Sequence, residues 1–294
     1  MHALVLGLVL LATAPKQQPA PVFVSTEWLA DHLNDPTLVV MHVGNESTYS
    51  SGHIPGARLA PADAWSVERD GLIMQMPDAA VLEEALEALG ISDASRIVIY
   101  TNAHPPATAA RLYVTLDHYG LGARTSLLDG GLRAWTAEKR ATETTTPTPA
   151  ASGQLTLRVQ PGIVVDHAYV AARRRDGAAT VIDARAIEFW TGERFNRPMA
   201  TRPGRVAGAA SVPFSAVVAE SGRILDRAAL EALFAQAGVA PGKPVVTYCH
   251  IGQQASLAYV AARHLGLQAH LYDGSYQDWS RRTELPVDSG GGNR

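Results

Sequence analysis

This chain spells out one order of elements twice, and that repetition leaves few folds open to it. Leu128-Asp129-Gly130-Gly131 with Trp135 returns as Tyr272-Asp273-Gly274-Ser275 with Trp279. In the first copy the apolar pattern predicts helices over 26–33, 81–89 and 107–118, with strands over 37–43, 97–100 and from 126. In the second it predicts helices over 166–174, 227–236 and 256–265, with strands over 180–183, 245–248 and from 270. A turn rich in Gly and Pro, Gly52-His53-Ile54-Pro55-Gly56-Ala57, has its partner in Arg202-Pro203-Gly204-Arg205-Val206-Ala207-Gly208-Ala209. Strands alternating with helices argue for two α/β domains, each a mostly parallel sheet covered on both faces. In such sheets ligands sit beyond the carboxyl ends of the strands.

At 294 residues the chain has room for two such domains, and 47% hydrophobic against 18% charged residues describes a globular protein with a real core. The expected layout is a leader over 1–21, a first domain over 22–140, a linker over 141–160 rich in Thr, Pro, Ala and Ser, and a second domain over 161–288. Residues 3–11 are apolar, and Ala12-Thr13-Ala14 reads as a small-residue cleavage site. That run is short for a bilayer span and fits a signal peptide, which implies a periplasmic or secreted protein without stable membrane insertion. Met1-His2 supplies no Lys or Arg, so the alternative is a frayed apolar terminus on a cytoplasmic protein. A net charge of −3 gives no footprint for nucleic acid. The single cysteine excludes an intrachain disulfide and a cysteine metal cluster.

That cysteine, Cys249, falls where the strand ending at Tyr248 hands over to a helix, in the turn Cys249-His250-Ile251-Gly252-Gln253-Gln254. Unpaired N–H groups of a turn and of a helix's first residues converge at such a place, with the positive end of the helix dipole behind them. A sulfur at their focus is expected as thiolate, the nucleophilic form. The competing reading is an inert core cysteine, the usual fate of a free thiol among apolar neighbours.

The tandem layout, the Gly-His-Ile-Pro-Gly-Ala turn at 52–57, the Tyr-Cys-x-x-Gly-x-x loop at 248–254 and the Tyr-Asp-Gly-Ser turn with Trp279 together resemble the two-domain rhodaneses, thiosulfate and 3-mercaptopyruvate sulfurtransferases. The resemblance runs from Phe23 to about Val287. It implies a persulfide on the loop cysteine of the second domain and no catalytic cysteine in the first. The two copies differ in that sense: alignment sets Thr101 opposite Cys249 and Gly44 opposite Arg185. Pro105 and Pro106 remove two N–H donors from the first loop, which leaves that domain a structural part, with His104 its one candidate for a role.

The expected chemistry is ping-pong nucleophilic catalysis. Cys249 attacks a small anionic donor such as thiosulfate, sulfite leaves, and the persulfide passes its sulfur to cyanide or a thiol, with no cofactor or metal. The amides of His250, Ile251, Gly252, Gln253 and Gln254 would surround that sulfur. Arg185 is the candidate for gripping the donor's anion, a role the resemblance carries onto it, and Asp183 could orient neighbours from behind or simply cap a loop. Trp190, Arg194 and Arg197 lie in a loop near the expected cleft mouth or are solvated. Thiosulfate-type members have basic residues after the cysteine and mercaptopyruvate-type members small ones; here stand His250 and Ile251, with Gln254 at the loop's end. His250 would add positive charge below about pH 6.5, which leans towards an inorganic anion. A phosphatase loop is excluded by Ala255, which stands where its arginine would be. The other class left open is a persulfide carrier without turnover, or 3-mercaptopyruvate as donor. A monomer is expected.

Overall fold

The computed structural model describes residues 19–60, 62–149 and 151–290, so nearly all of the expected leader lies outside the described residues. The first unit runs β1 (Phe23–Val24), α1 (Thr26–His32), β2 (Leu38–Val43), α2 (Glu46–Ser50), β3 (Arg58–Leu59), α3 (Ala62–Trp65), β4 (Val67–Arg69), β5 (Leu72–Gln75), α4 (Ala79–Ala88), β6 (Arg96–Thr101), α5 (Ala107–His118), β7 (Thr125–Leu128) and α6 (Gly131–Ala137). The second runs β8 (Val164–Val165), α7 (His167–Asp176), β9 (Thr180–Asp183), α8 (Ile187–Thr191), β10 (Arg205–Val206), β11 (Ala210–Ser211), α9 (Arg227–Gln236), β12 (Val245–Tyr248), α10 (Gln253–His264), β13 (Ala269–Tyr272), α11 (Ser275–Trp279) and β14 (Val287–Asp288).

Each unit holds a five-stranded sheet with every pairing parallel, ordered β3-β2-β6-β7-β1 and β11-β9-β12-β13-β8. The two orders match strand for strand, so the repeat in sequence is a repeat in topology. It extends to single hydrogen bonds. Ile54 N–H donates to Tyr100 Oη at 3.0 Å, and Val206 N–H donates to Tyr248 Oη at 3.1 Å. Trp135 Nε1 donates to Ala141 O at 2.7 Å, and Trp279 Nε1 to Pro286 O at 3.0 Å. The small hairpin β4–β5 has no forecast in the sequence, whose short, mixed segment lacks a strand period.

Buried strands with both faces covered read as continuous apolar runs, and Val-Val-Met in β2 and Ile-Val-Ile in β6 do so. Helices α5 and α10 are buried nearly all round, because each packs on its own sheet and on the other helix. Their contact joins the two units into one large apolar core. Tyr259 Oη crosses it to Asp117 Oδ2 at 2.7 Å. Each unit also reaches into the Asp-Gly turn of the other: Ile224 N–H donates to Asp129 Oδ1 at 2.7 Å, and Met76 N–H to Asp273 Oδ2 at 2.9 Å. The segment expected as a linker is strapped along α4. Gly153 and Leu155 N–H bond the backbone and carboxylate of Glu87, both at 2.7 Å, and the Leu155 side chain is buried. Among the described residues no helix is long and apolar enough to cross a membrane.

Candidate active site

Cys249 follows the last residue of the central strand β12, at the carboxyl end of the sheet, and its side chain is fully enclosed. Gly252, at φ +89°, turns the chain into α10, which starts three residues earlier than its apolar period suggests. The last two residues of the expected six-residue loop, Gln253 and Gln254, are therefore already helical, and their N–H groups are those a helix leaves unpaired. The amides of Ala255, Ile251, Gly252 and Gln254 act on the Cys249 sulfur. A second set of bonds fixes the loop from below. Cys249 N–H donates to Ser275 Oγ at 3.2 Å, Tyr276 N–H to Cys249 O at 3.0 Å and Gln277 N–H to His250 O at 2.9 Å. Burial pushes the Cys249 thiol up, and the four amides pull it back without cancelling the rise. The amides of Ile251, Gly252 and Gln254 are ones the sequence points to and that of Ala255 is one it does not, and full enclosure opposes the thiolate they favour.

Arg185, just beyond β9, is nearly as buried. Its Nε donates to Asp183 Oδ1 at 2.9 Å, and its Nη2 to Asp183 Oδ2 at 2.5 Å and Gly204 O at 2.8 Å. The guanidinium lies over Tyr276, 4.3 Å from the ring centroid, and faces Tyr248 at 5.8 Å. Burial alone would lower it, but the charge and hydrogen bonds of Asp183 raise it further. Asp183 also takes the Arg185 N–H at 3.0 Å and the Tyr248 hydroxyl at 2.7 Å, so it caps its loop and aims the arginine at once. Among the described residues Nη1 makes no hydrogen bond, which leaves its two N–H groups for a ligand.

His250 stands edge-on to Phe189, with centroids 4.6 Å apart, and its buried Nδ1 has no partner. Burial, then the charge of Arg185, pushes this imidazole down to about 4. It adds no positive charge near pH 6, contrary to the sequence expectation, because it is half-buried beside a permanent cation. Ile251 is half-buried, as are Gln253 and Gln254, and Gln254 Oε1 is buried without a partner. Trp190 is no part of the mouth: it is buried, donates to Ala209 O at 2.8 Å and carries Arg205 over its ring at 4.0 Å. Arg194 lies over Phe189 at 4.9 Å and so touches the wall of the site, whereas Arg197 lies over Phe195. A cavity of about 740 Å³, lined by Met76, His118, Tyr169, Asp273 and Arg282 among others, does not include Cys249.

The first unit shows the same place with its chemistry removed. Sheet register sets His42 beside Tyr100 as it sets Asp183 beside Tyr248. A Cβ on Gly44 would stand 2.4 Å from His42 Nε2, so a side chain there would have to displace the His42 ring. The Thr101 hydroxyl receives the Ala103 N–H at 3.1 Å, and Pro105 and Pro106 bring none.

A family model described as the rhodanese-like domain matches twice, over residues 25–138 and 166–282. This chain belongs to the rhodanese family. It is 28% identical to 3-mercaptopyruvate sulfurtransferase of Escherichia coli, over 90% of this chain and 97% of that one. It is 30% identical to a putative thiosulfate sulfurtransferase of Mycobacterium tuberculosis, over 91% and 90%. With thiosulfate sulfurtransferase of Azotobacter vinelandii the identity is 26%, over 91% and 97%. The crystal structure of the Escherichia coli 3-mercaptopyruvate enzyme superposes with a TM-score of 0.77 at 26% identity, over 87% of this chain and 99% of that one. The chain is a sulfurtransferase. Sequence reasoning placed Tyr248 and Ser275 in motifs but gave them no part in the site of this rhodanese, and it missed Tyr276 and Phe189, which nothing in the pattern marks.

Proposed function

We propose that Cys249 carries the transferred sulfur as a persulfide and that Arg185 Nη1 holds the donor's anion beside it. The observation that supports this most is the convergence of four backbone N–H groups on one enclosed sulfur at the start of a twelve-residue helix. Burial favours the protonated sulfur, and a proton carried by it leaves with the first product. With thiosulfate, the Cys249 sulfur bonds the outer sulfur, the S–S bond of the donor breaks, and hydrogen sulfite departs, leaving an anionic persulfide under the loop amides. Cyanide then takes the terminal sulfur as thiocyanate, and Cys249 regains a proton. Mass spectrometry of the donor-treated chain should show one added sulfur on Cys249, removed by cyanide; no adduct after either donor would sink this reading.

A second donor, 3-mercaptopyruvate, is favoured by a specific feature. Next to Cys249 stand a neutral His250 and an apolar Ile251, and most of the Arg185 donors are spent on Asp183 and Gly204. Such a site offers little to a dianion and suits a monocarboxylate. Initial rates of sulfite and of pyruvate release decide between the two donors. Another relative, 26% identical over 92% of this chain, is named a sulfur carrier protein, from Thermus thermophilus. A carrier gives one burst equal to the protein concentration; continued release marks turnover.

A further inference from the structure

The first domain sends one charged side chain under the second domain's loop. Arg111 of α5 is completely buried, and its Nη1 donates to Asp273 Oδ1 at 2.6 Å while Nη2 bonds Met74 O. The other Asp273 oxygen is occupied by the Met76 N–H. The loop rests on this pair. A Cβ on Gly252 would lie 3.0 Å from Arg111 Nη1, 3.1 Å from Asp273 O and 3.3 Å from Asp273 Oδ1. Gly252 thus has the ion pair behind it and the Cys249 sulfur before it, reached by its own N–H. Matching α5 and α10 from their first residues sets Leu257 opposite Arg111, so the first domain's loop has no such support.

We propose that Arg111, held by Asp273, is a positioning residue: it fixes Gly252 in its left-handed conformation and thereby aims the loop amides at Cys249. The inference rests on the reading of Cys249 as nucleophile and gives the first domain a part in the reaction. The test uses the full chain with Arg111→Met and Asp273→Asn together, which leaves no unpaired buried charge and keeps an acceptor for Met76. Iodoacetamide alkylation of Cys249 is followed against pH, alongside donor kinetics. The expected result is a midpoint moved to higher pH and a kcat lower by about a hundredfold, the cost of a small misplacement, with donor KM little changed because Arg185 is intact. Arg111→Lys keeps the ion pair, loses the bond to Met74 and gives a smaller shift in the same direction; it decides the matter if the double variant does not fold. An unchanged alkylation profile in either folded variant overturns the proposal. Alkylation needs no sulfur donor, so a parent chain that never forms a persulfide refutes the proposed function while the Arg111 question is still answered.

Discussion

Cys249 and Thr101 occupy one position in two copies of the same fold, and the difference between them is chemical rather than architectural. Cys249→Ser should abolish sulfur release while leaving the unfolding midpoint near that of the parent, since a hydroxyl fits the same amides; residual steady-state turnover would refute the thiol mechanism. Arg185 makes a sharper case, because it serves Asp183 as well as the donor. Arg185→Ala should raise donor KM far more than the acceptor constant, and should also cost about 3–5 kcal/mol in urea unfolding, as loss of one partner from a buried pair does. An unchanged donor KM would remove Arg185 from the binding step. His250 yields a negative expectation: with its imidazole held down to about 4, donor KM should show no inflection between pH 7 and 5. An inflection near 6.5 that disappears in His250→Asn would contradict it.

At the scale of elements, α5, α9, β9 and β12 were legible to the residue, because their apolar periods end at clear punctuation. The start of α10 was not. Its first turn is polar, and only the left-handed Gly252 marks the N-cap, a signal that also fits an ordinary turn. The β4–β5 hairpin was invisible because its stability comes from the other domain: Ile73 N–H donates to Gln277 Oε1 at 3.1 Å. The ion pair of Asp183 and Arg185 could be suspected from spacing, but not its enclosure by Tyr248 and Tyr276, which come from later elements. The loop carries its own test. Gly252→Ala combines a left-handed φ with a 3.0 Å contact to Arg111, so it should cost about 1–2 kcal/mol and disturb the amide ring. Alkylation and turnover should both fall; parental values for both would show that the loop tolerates a β-carbon.

Taken as a whole, the molecule places one neutral histidine at the carboxyl end of each sheet, His42 in the first and His250 in the second. Burial drives both imidazoles down to about 4, His250 with the help of Arg185 and His42 with that of His53. In the unfolded chain the same groups titrate near 6.5. Between about pH 6.5 and 4 the unfolded state therefore binds more protons than the folded one, and stability falls as pH drops through that window. The contribution is complete above 6.5, on the order of a few kcal/mol per residue. Burial lowers His118 and His264 as well, so they act in the same direction. Urea unfolding at pH 7 should thus show a higher midpoint than at pH 5. His42→Phe, which replaces a ring whose two nitrogens are buried without partners, should flatten that difference and raise the midpoint at pH 5. Equal slopes in parent and variant would mean that His42 is protonated inside the fold, and that the first domain's former site is more polar than its geometry indicates.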